Sequence, residues 1–103
     1  MSLNRYAKRK DANQAEVVQA LEACGWSVFV LDRPCDLLLG KAGVNLLLEV
    51  KDGSKTAGNR PLTAAQVKFQ QEWRGQFDVV TSQLEALAVA ESRLGRFLSG
   101  PAL

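Results

Sequence analysis

Apolar and polar positions follow two different periods along this chain, and the switches between them mark its elements. Val17, Val18 and Leu21 recur at helical spacing and predict an amphipathic helix. Asp11 stands where an N-cap would, with Gln14 placed to complete a capping box, so this helix is expected to open near Asp11. Gly25 is expected to stop it. Trp26–Leu31 is rich in aromatic and β-branched residues and predicts a strand. Asp32-Arg33-Pro34 predicts a turn, and Cys35–Leu39 a second, short strand. Gly40–Gly43 carries a hairpin signal. Val44–Lys51 predicts a third strand, apolar on both faces for most of its length and therefore central in its sheet.

Asp52–Arg60 is polar and contains glycine, which predicts a loop. A second helix is expected over Ala64–Arg74, with Leu62, Phe69 and Trp73 roughly along one face and Gly75 closing it. Phe77–Val80 predicts a fourth strand. Ser82 and Glu85 form the ends of a capping box that opens a last helix, with Leu84, Leu87, Ala88, Glu91 and Leu94 near helical spacing. The tail from Ser99 is expected to be loose. The order αβββαβα predicts a layered α/β domain in which helices flank a mixed, four-stranded sheet.

At 103 residues the chain is the size of one domain spanning residues 1–103. Its 47% hydrophobic and 23% charged content is ordinary for a folded chain. A net charge of +2 does not by itself announce a nucleic-acid binder. Basic residues do gather near the start, at Arg5, Lys8, Arg9 and Lys10. Residues 1–10 read either as a flexible, solvated terminus or as an arm that contacts phosphates, with Arg9 and Lys10 its nearest cations to the domain. Cys24 and Cys35 make no metal-binding or redox motif, and no leader or membrane span is visible. A reducing cytoplasm is the expected compartment.

Histidine is absent. That excludes catalysis by Ser-His-Asp or Cys-His arrangements and any His-ligated zinc. A metal would have to be held by oxygen, which points to Mg²⁺ or Mn²⁺.

The third strand carries the most informative chemistry. Side chains alternate across a strand, so Glu49 and Lys51 project together near its end, while Leu46, Leu48 and Val50 project the other way. Two charges on the semi-buried face of a central strand are costly unless they pair or bind a cation. Asp36 lies on the preceding strand. Paired residues in an antiparallel hairpin share a constant sum of residue numbers: an odd sum places Asp36 on the face of Glu49, and a slip of one residue removes it. The odd register is expected. The plainer alternative is an exposed Glu49–Lys51 pair of little energetic weight.

Asp36, followed across a hairpin by Glu49-Val50-Lys51, resembles the D…ExK signature of the PD-(D/E)XK nuclease superfamily. The element order is similar to that superfamily's restriction-endonuclease-like core over nearly the whole chain. Cys35-Asp-Leu-Leu-Leu-Gly40 and Leu48-Glu-Val-Lys-Asp-Gly53 resemble small phage-type nucleases related to the VRR-NUC and Holliday-junction-resolvase-like branches. Two features depart from the pattern. Cys35 separates Pro34 from Asp36, and no Val-Arg-Arg triplet occurs.

The resemblance implies a Mg²⁺- or Mn²⁺-dependent endonuclease acting on DNA. Asp36, Glu49 and the carbonyl of Val50 would hold the metal, and Lys51 would orient or deprotonate the attacking water or stabilise developing charge. Glu16 on the first helix matches a glutamate that related nucleases direct at the metal; it reads equally as a solvated helix residue. Gln66 matches a glutamine that touches the substrate phosphate or the metal-bound water, while Thr63-Ala-Ala-Gln66 is itself a capping box. Lys55 and Arg60 would grip DNA from the loop after Lys51. A duplex is wide for so small a domain, so a homodimer is expected. Two other readings stand beside the enzyme: a catalytically silent nucleic-acid-binding module or subunit of a larger nuclease complex, and a structural domain with an incidental charge pair.

Overall fold

The computed structural model describes residues 2–52 and 62–99, with side chains over 12–52 and 62–99. Within them the elements run α1 (Ser2–Ala23), β1 (Ser27–Val30), β2 (Leu37–Lys41), β3 (Val44–Val50), α2 (Ala64–Glu72), β4 (Asp78–Val80) and α3 (Gln83–Ser99). The sheet order is β1-β2-β3-β4. The first two pairings are antiparallel and β3 pairs with β4 in parallel, so the sheet is mixed, as the element order predicts.

Helix α1 differs from expectation at its start. It begins at Ser2, and Asp11 lies inside it rather than capping it. The preceding residues include Ala, Arg and Lys and contain neither Gly nor Pro, so nothing local halts the helix there. Its end is as predicted. The N–H of Trp26 reaches the Leu21 carbonyl at 3.1 Å and that of Gly25 reaches Glu22 at 3.0 Å, a Schellman closure. Gly25 has φ of 93°, where a side chain would be strained.

The β2–β3 hairpin turns on Ala42 and Gly43, with φ of 52° and 79°. Left-handed backbone at both central residues matches the right-handed twist of the flanking strands. Gly40 and Lys41 therefore belong to β2 rather than to the turn, and β2 lies later in the chain than Cys35–Leu39.

One face of the sheet is packed by α1 and α3. Leu37, Leu39, Leu46, Leu48, Val50 and Val80 meet Val17 and Leu21 of α1 and Ala86, Ala90 and Leu94 of α3 in a single cluster. Truncating any of these leucines to alanine would cost about 2–5 kcal/mol. The buried stripe of α3 corrects the expected one: Leu84 is 80% exposed. Small side chains at Ala86 and Ala90 let α3 approach the sheet and α1 closely, and that sets the helix phase.

Helix α2 has no buried residue. Phe69 stacks on Trp73 at 5.4 Å between ring centres and meets Phe77 edge to face at 5.2 Å. These rings form a satellite cluster, with Trp73 45% exposed, and not a second core. The helix ends before Arg74, where Trp73 turns to extended backbone. Among the described residues no helix is long and apolar enough to cross a membrane.

Candidate functional site

The β2–β3 register decides the site. Leu37 pairs with Leu48 and Leu39 with Leu46, an odd sum throughout. Continued by one residue, the same register sets Asp36 across from Glu49, on the face opposite the leucine core. Asp36 is held there on both sides. Its carbonyl accepts the Leu31 N–H at 2.7 Å, and its Oδ2 accepts the Val50 N–H at 2.8 Å.

Glu49 is fully buried and Lys51 is 6% exposed. Lys51 Nζ lies 3.2 Å from Glu49 Oε2 and donates to Gln66 Oε1 at 3.0 Å. The pair is therefore buried, not the exposed pair of the plainer alternative, and Lys51 is bonded from a third side by Gln66. Beyond β3 the ladder continues through the Lys51 N–H to the Val80 carbonyl at 2.9 Å, which fixes the backbone beneath the lysine.

Gln66 reaches this cluster from the first turn of α2 and caps that helix at the same time. The Thr63 side chain accepts the Gln66 N–H at 3.2 Å, and Gln66 Oε1 accepts the Thr63 N–H at 3.0 Å. One oxygen therefore serves both the helix start and Lys51. Both readings of Thr63-Ala-Ala-Gln66 are compatible with this geometry.

Glu16 is exposed, and its Oε2 accepts from Gln83 at the head of α3 at 3.4 Å. The α1 side chain that reaches the end of β3 is instead Asn13, whose amide donates to the Lys51 carbonyl at 2.7 Å and the Thr81 carbonyl at 3.1 Å. Sequence reading missed Asn13, because nothing local marks an asparagine whose partners lie far along the chain. It also missed Asp52. That residue opens the segment expected as a polar loop and is only 4% exposed. Its place directly after the Glu-Val-Lys run was the one available signal. Arg9 and Lys10 belong to α1, but their side chains, like Lys55 and Arg60, lie outside the described residues.

Cys35 is buried just before Asp36, with its Sγ 3.8 Å from the Leu37 carbonyl. Burial pushes the thiol up to about 11, and the carboxylates of Glu49 and Asp36 add to the rise; the Leu37 and Leu48 backbone works against it.

No family model matches this chain, and no curated protein or solved structure shows significant similarity to it. The site must therefore be read from its own chemistry. Among the described residues no group of three or more His, Cys, Asp or Glu side chains is arranged to hold a metal ion. The donors present are two carboxylates, Asp36 and Glu49, with the Val50 carbonyl between Glu49 and Lys51. This all-oxygen set suits a hard divalent cation that keeps several of its waters, because such an ion is commonly bound through only one or two protein carboxylates.

Proposed function

We propose that this domain is a divalent-metal-dependent endonuclease that hydrolyses DNA phosphodiester bonds, built on a restriction-endonuclease-like core of the PD-(D/E)XK type. The observation that carries the reading is the odd β2–β3 register. It brings Asp36 to the face of Glu49 and Lys51, and a slip of one residue would have dispersed them. Clustered charges that are buried at the end of a central strand are costly to fold around, which makes a functional role the better explanation.

In this reading Asp36, Glu49 and the Val50 carbonyl hold Mg²⁺ or Mn²⁺, and the bound cation supplies charge neutralisation at the scissile phosphate and a more acidic water. Lys51 has its ammonium fixed by Glu49 and Gln66, so it can meet developing negative charge without first being ordered. Gln66 couples that ammonium to the start of α2. A duplex spans more surface than one such domain offers, so the active form is proposed to be a homodimer.

A second reading keeps nucleic-acid binding without turnover. It is favoured by the closed Glu49–Lys51 pair, in which each charge already neutralises the other.

The test is cleavage of a labelled panel of duplex, single strand, flap and four-way junction with Mn²⁺ or Mg²⁺, against EDTA and Lys51→Ala controls. Metal-dependent cutting that disappears in folded Lys51→Ala is the expected result. A folded wild-type protein that cuts no substrate would overturn the enzyme and leave the binding module. A homogeneous monomer by sedimentation while cutting persists would remove the homodimer alone.

A further inference from the structure

The loop between β1 and β2 and the first turns of α2 border a half-open cleft of ≈ 430 Å³, lined by Asp32, Arg33, Pro34, Thr63, Gln66 and Phe69. Gln66 is shared between this cleft and the buried cluster, since its Oε1 lies 3.0 Å from Lys51 Nζ. Whatever occupies the cleft therefore sits one side chain away from the lysine. The nuclease reading leaves this space without a role.

We propose that the cleft receives one unpaired nucleotide of a nucleic-acid strand, beside the backbone phosphate presented to Lys51. This rests on the nuclease reading and names the substrate class it lacks: strands with an unpaired, unstacked nucleotide at the site, as in single strands and flaps. Size is the first argument. The cleft is of the order that encloses a small molecule, and a base still paired and stacked within a duplex cannot enter such a space.

Wall chemistry is the second argument. Unpaired bases are recognised by stacking on aromatic rings or guanidinium planes and by hydrogen bonds to their exposed edges. Phe69 supplies a ring, Arg33 a guanidinium and Asp32 an acceptor. The ring is already fixed by Trp73 and Phe77, so little ordering is needed when a base arrives. An acceptor at Asp32 can take an N–H from the exposed edge of an unpaired base.

The experiment measures binding without divalent metal, so that cleavage is not needed as a readout. End-labelled DNA and RNA oligonucleotides, single-stranded, flapped and blunt duplex, are titrated by fluorescence anisotropy against wild type, Arg33→Gln and Ala65→Met. Ala65 lines the same cleft from an exposed position on α2, so methionine there narrows the space with little disturbance of the fold. Unchanged melting temperatures establish that each variant is folded. Wild type is expected to prefer substrates with an unpaired nucleotide by about tenfold over blunt duplex, and both variants to bring that ratio near unity. The DNA and RNA arms show which sugar is accepted.

A wild-type ratio near unity, or variants that weaken duplex and single strand in parallel, would overturn the cleft assignment. Preference for unpaired strands without cutting under any metal would sink the nuclease reading and leave the cleft standing. Metal-dependent cutting with no such preference would do the reverse.

Discussion

The Asp36 carboxylate accepts the backbone N–H of Val50 at 2.8 Å, so the acid just before β2 is locked to the end of β3, where Glu49 and Lys51 lie. This bond ties the position of a candidate metal ligand to the integrity of the sheet. It also gives Asp36 two separable roles, as an acceptor and as a charge.

Asp36→Asn and Asp36→Ala are expected to split those roles. Asparagine retains an oxygen acceptor for the Val50 N–H and should cost little stability. Alanine leaves that N–H without its acceptor and should cost about 1–3 kcal/mol by urea unfolding. Mn²⁺ at a hundred times its dissociation constant should stabilise wild type by about 2.7 kcal/mol, visible as a raised melting temperature. Both variants should lose most of that metal response. If neither does, Asp36 is not a metal ligand.

Lys51→Ala removes the cation held 3.2 Å from the carboxylate of the fully buried Glu49. Loss of about 3–5 kcal/mol is expected on this ground alone. Glu49→Leu combined with Lys51→Met, which removes both charges, should be markedly more stable than Lys51→Ala. A double variant no better than the single one would show that the pair is not desolvated in solution. The comparison also tells a loss of cutting due to unfolding from one due to chemistry.

Asp78 forms a two-pronged contact with Arg93, Oδ2 to Nε at 2.9 Å and Oδ1 to Nη2 at 3.0 Å. Burial raises the Asp78 carboxyl, but the hydrogen bonds from Arg93 and Gln76 and the charge of Arg93 outweigh it and hold it below the ordinary carboxylate range. A folded-state value below the unfolded one means that this contribution is present above the unfolded value, about 3.9, and is lost as pH falls through the folded one. The Arg93 side chain is 36% exposed, so the contact is worth no more than about 1 kcal/mol. Arg93→Gln should lower the urea midpoint at pH 7 and bring it toward wild type below pH 3. A variant deficit that is the same at both pH values would refute the linkage.

The two cysteines should differ sharply in reactivity. Cys24 is exposed and Cys35 buried. With its thiol pushed up to about 11, Cys35 offers almost no thiolate at pH 8. Iodoacetamide at that pH is expected to modify Cys24 in the folded protein and both residues in urea, as read by intact and peptide mass. The folded state keeps the Cys35 proton that the unfolded state gives up near 8.5, so this group's contribution to stability falls as pH rises from there through about 11. Rapid labelling of Cys35 in the native protein would contradict its burial.

The amino-acid sequence alone determined what depends on near neighbours. Gly25 ends α1, the hairpin turns within the expected Gly40–Gly43 segment and Thr63 with Gln66 opens α2, because each rests on backbone conformations or bonds that span a few residues. For Asp36 and Glu49 the sequence left two registers open, of which the odd one was expected, and the two-residue turn at Ala42-Gly43 fixes it. What lay beyond was decided by packing between distant segments. Leu84 points outward and Ala86 inward because α3 must fit against α1 and the sheet, which the spacing of its leucines does not encode. Asn13 meets Lys51 and Thr81 across separations of 38 and 68 residues. Gln76 takes the place of a neighbouring strand beside Leu47, accepting its N–H at 2.6 Å and donating to its carbonyl at 2.8 Å. Such contacts satisfy buried backbone groups that have no partner nearby in the chain, and only the folded arrangement of the segments determines which side chain is within reach.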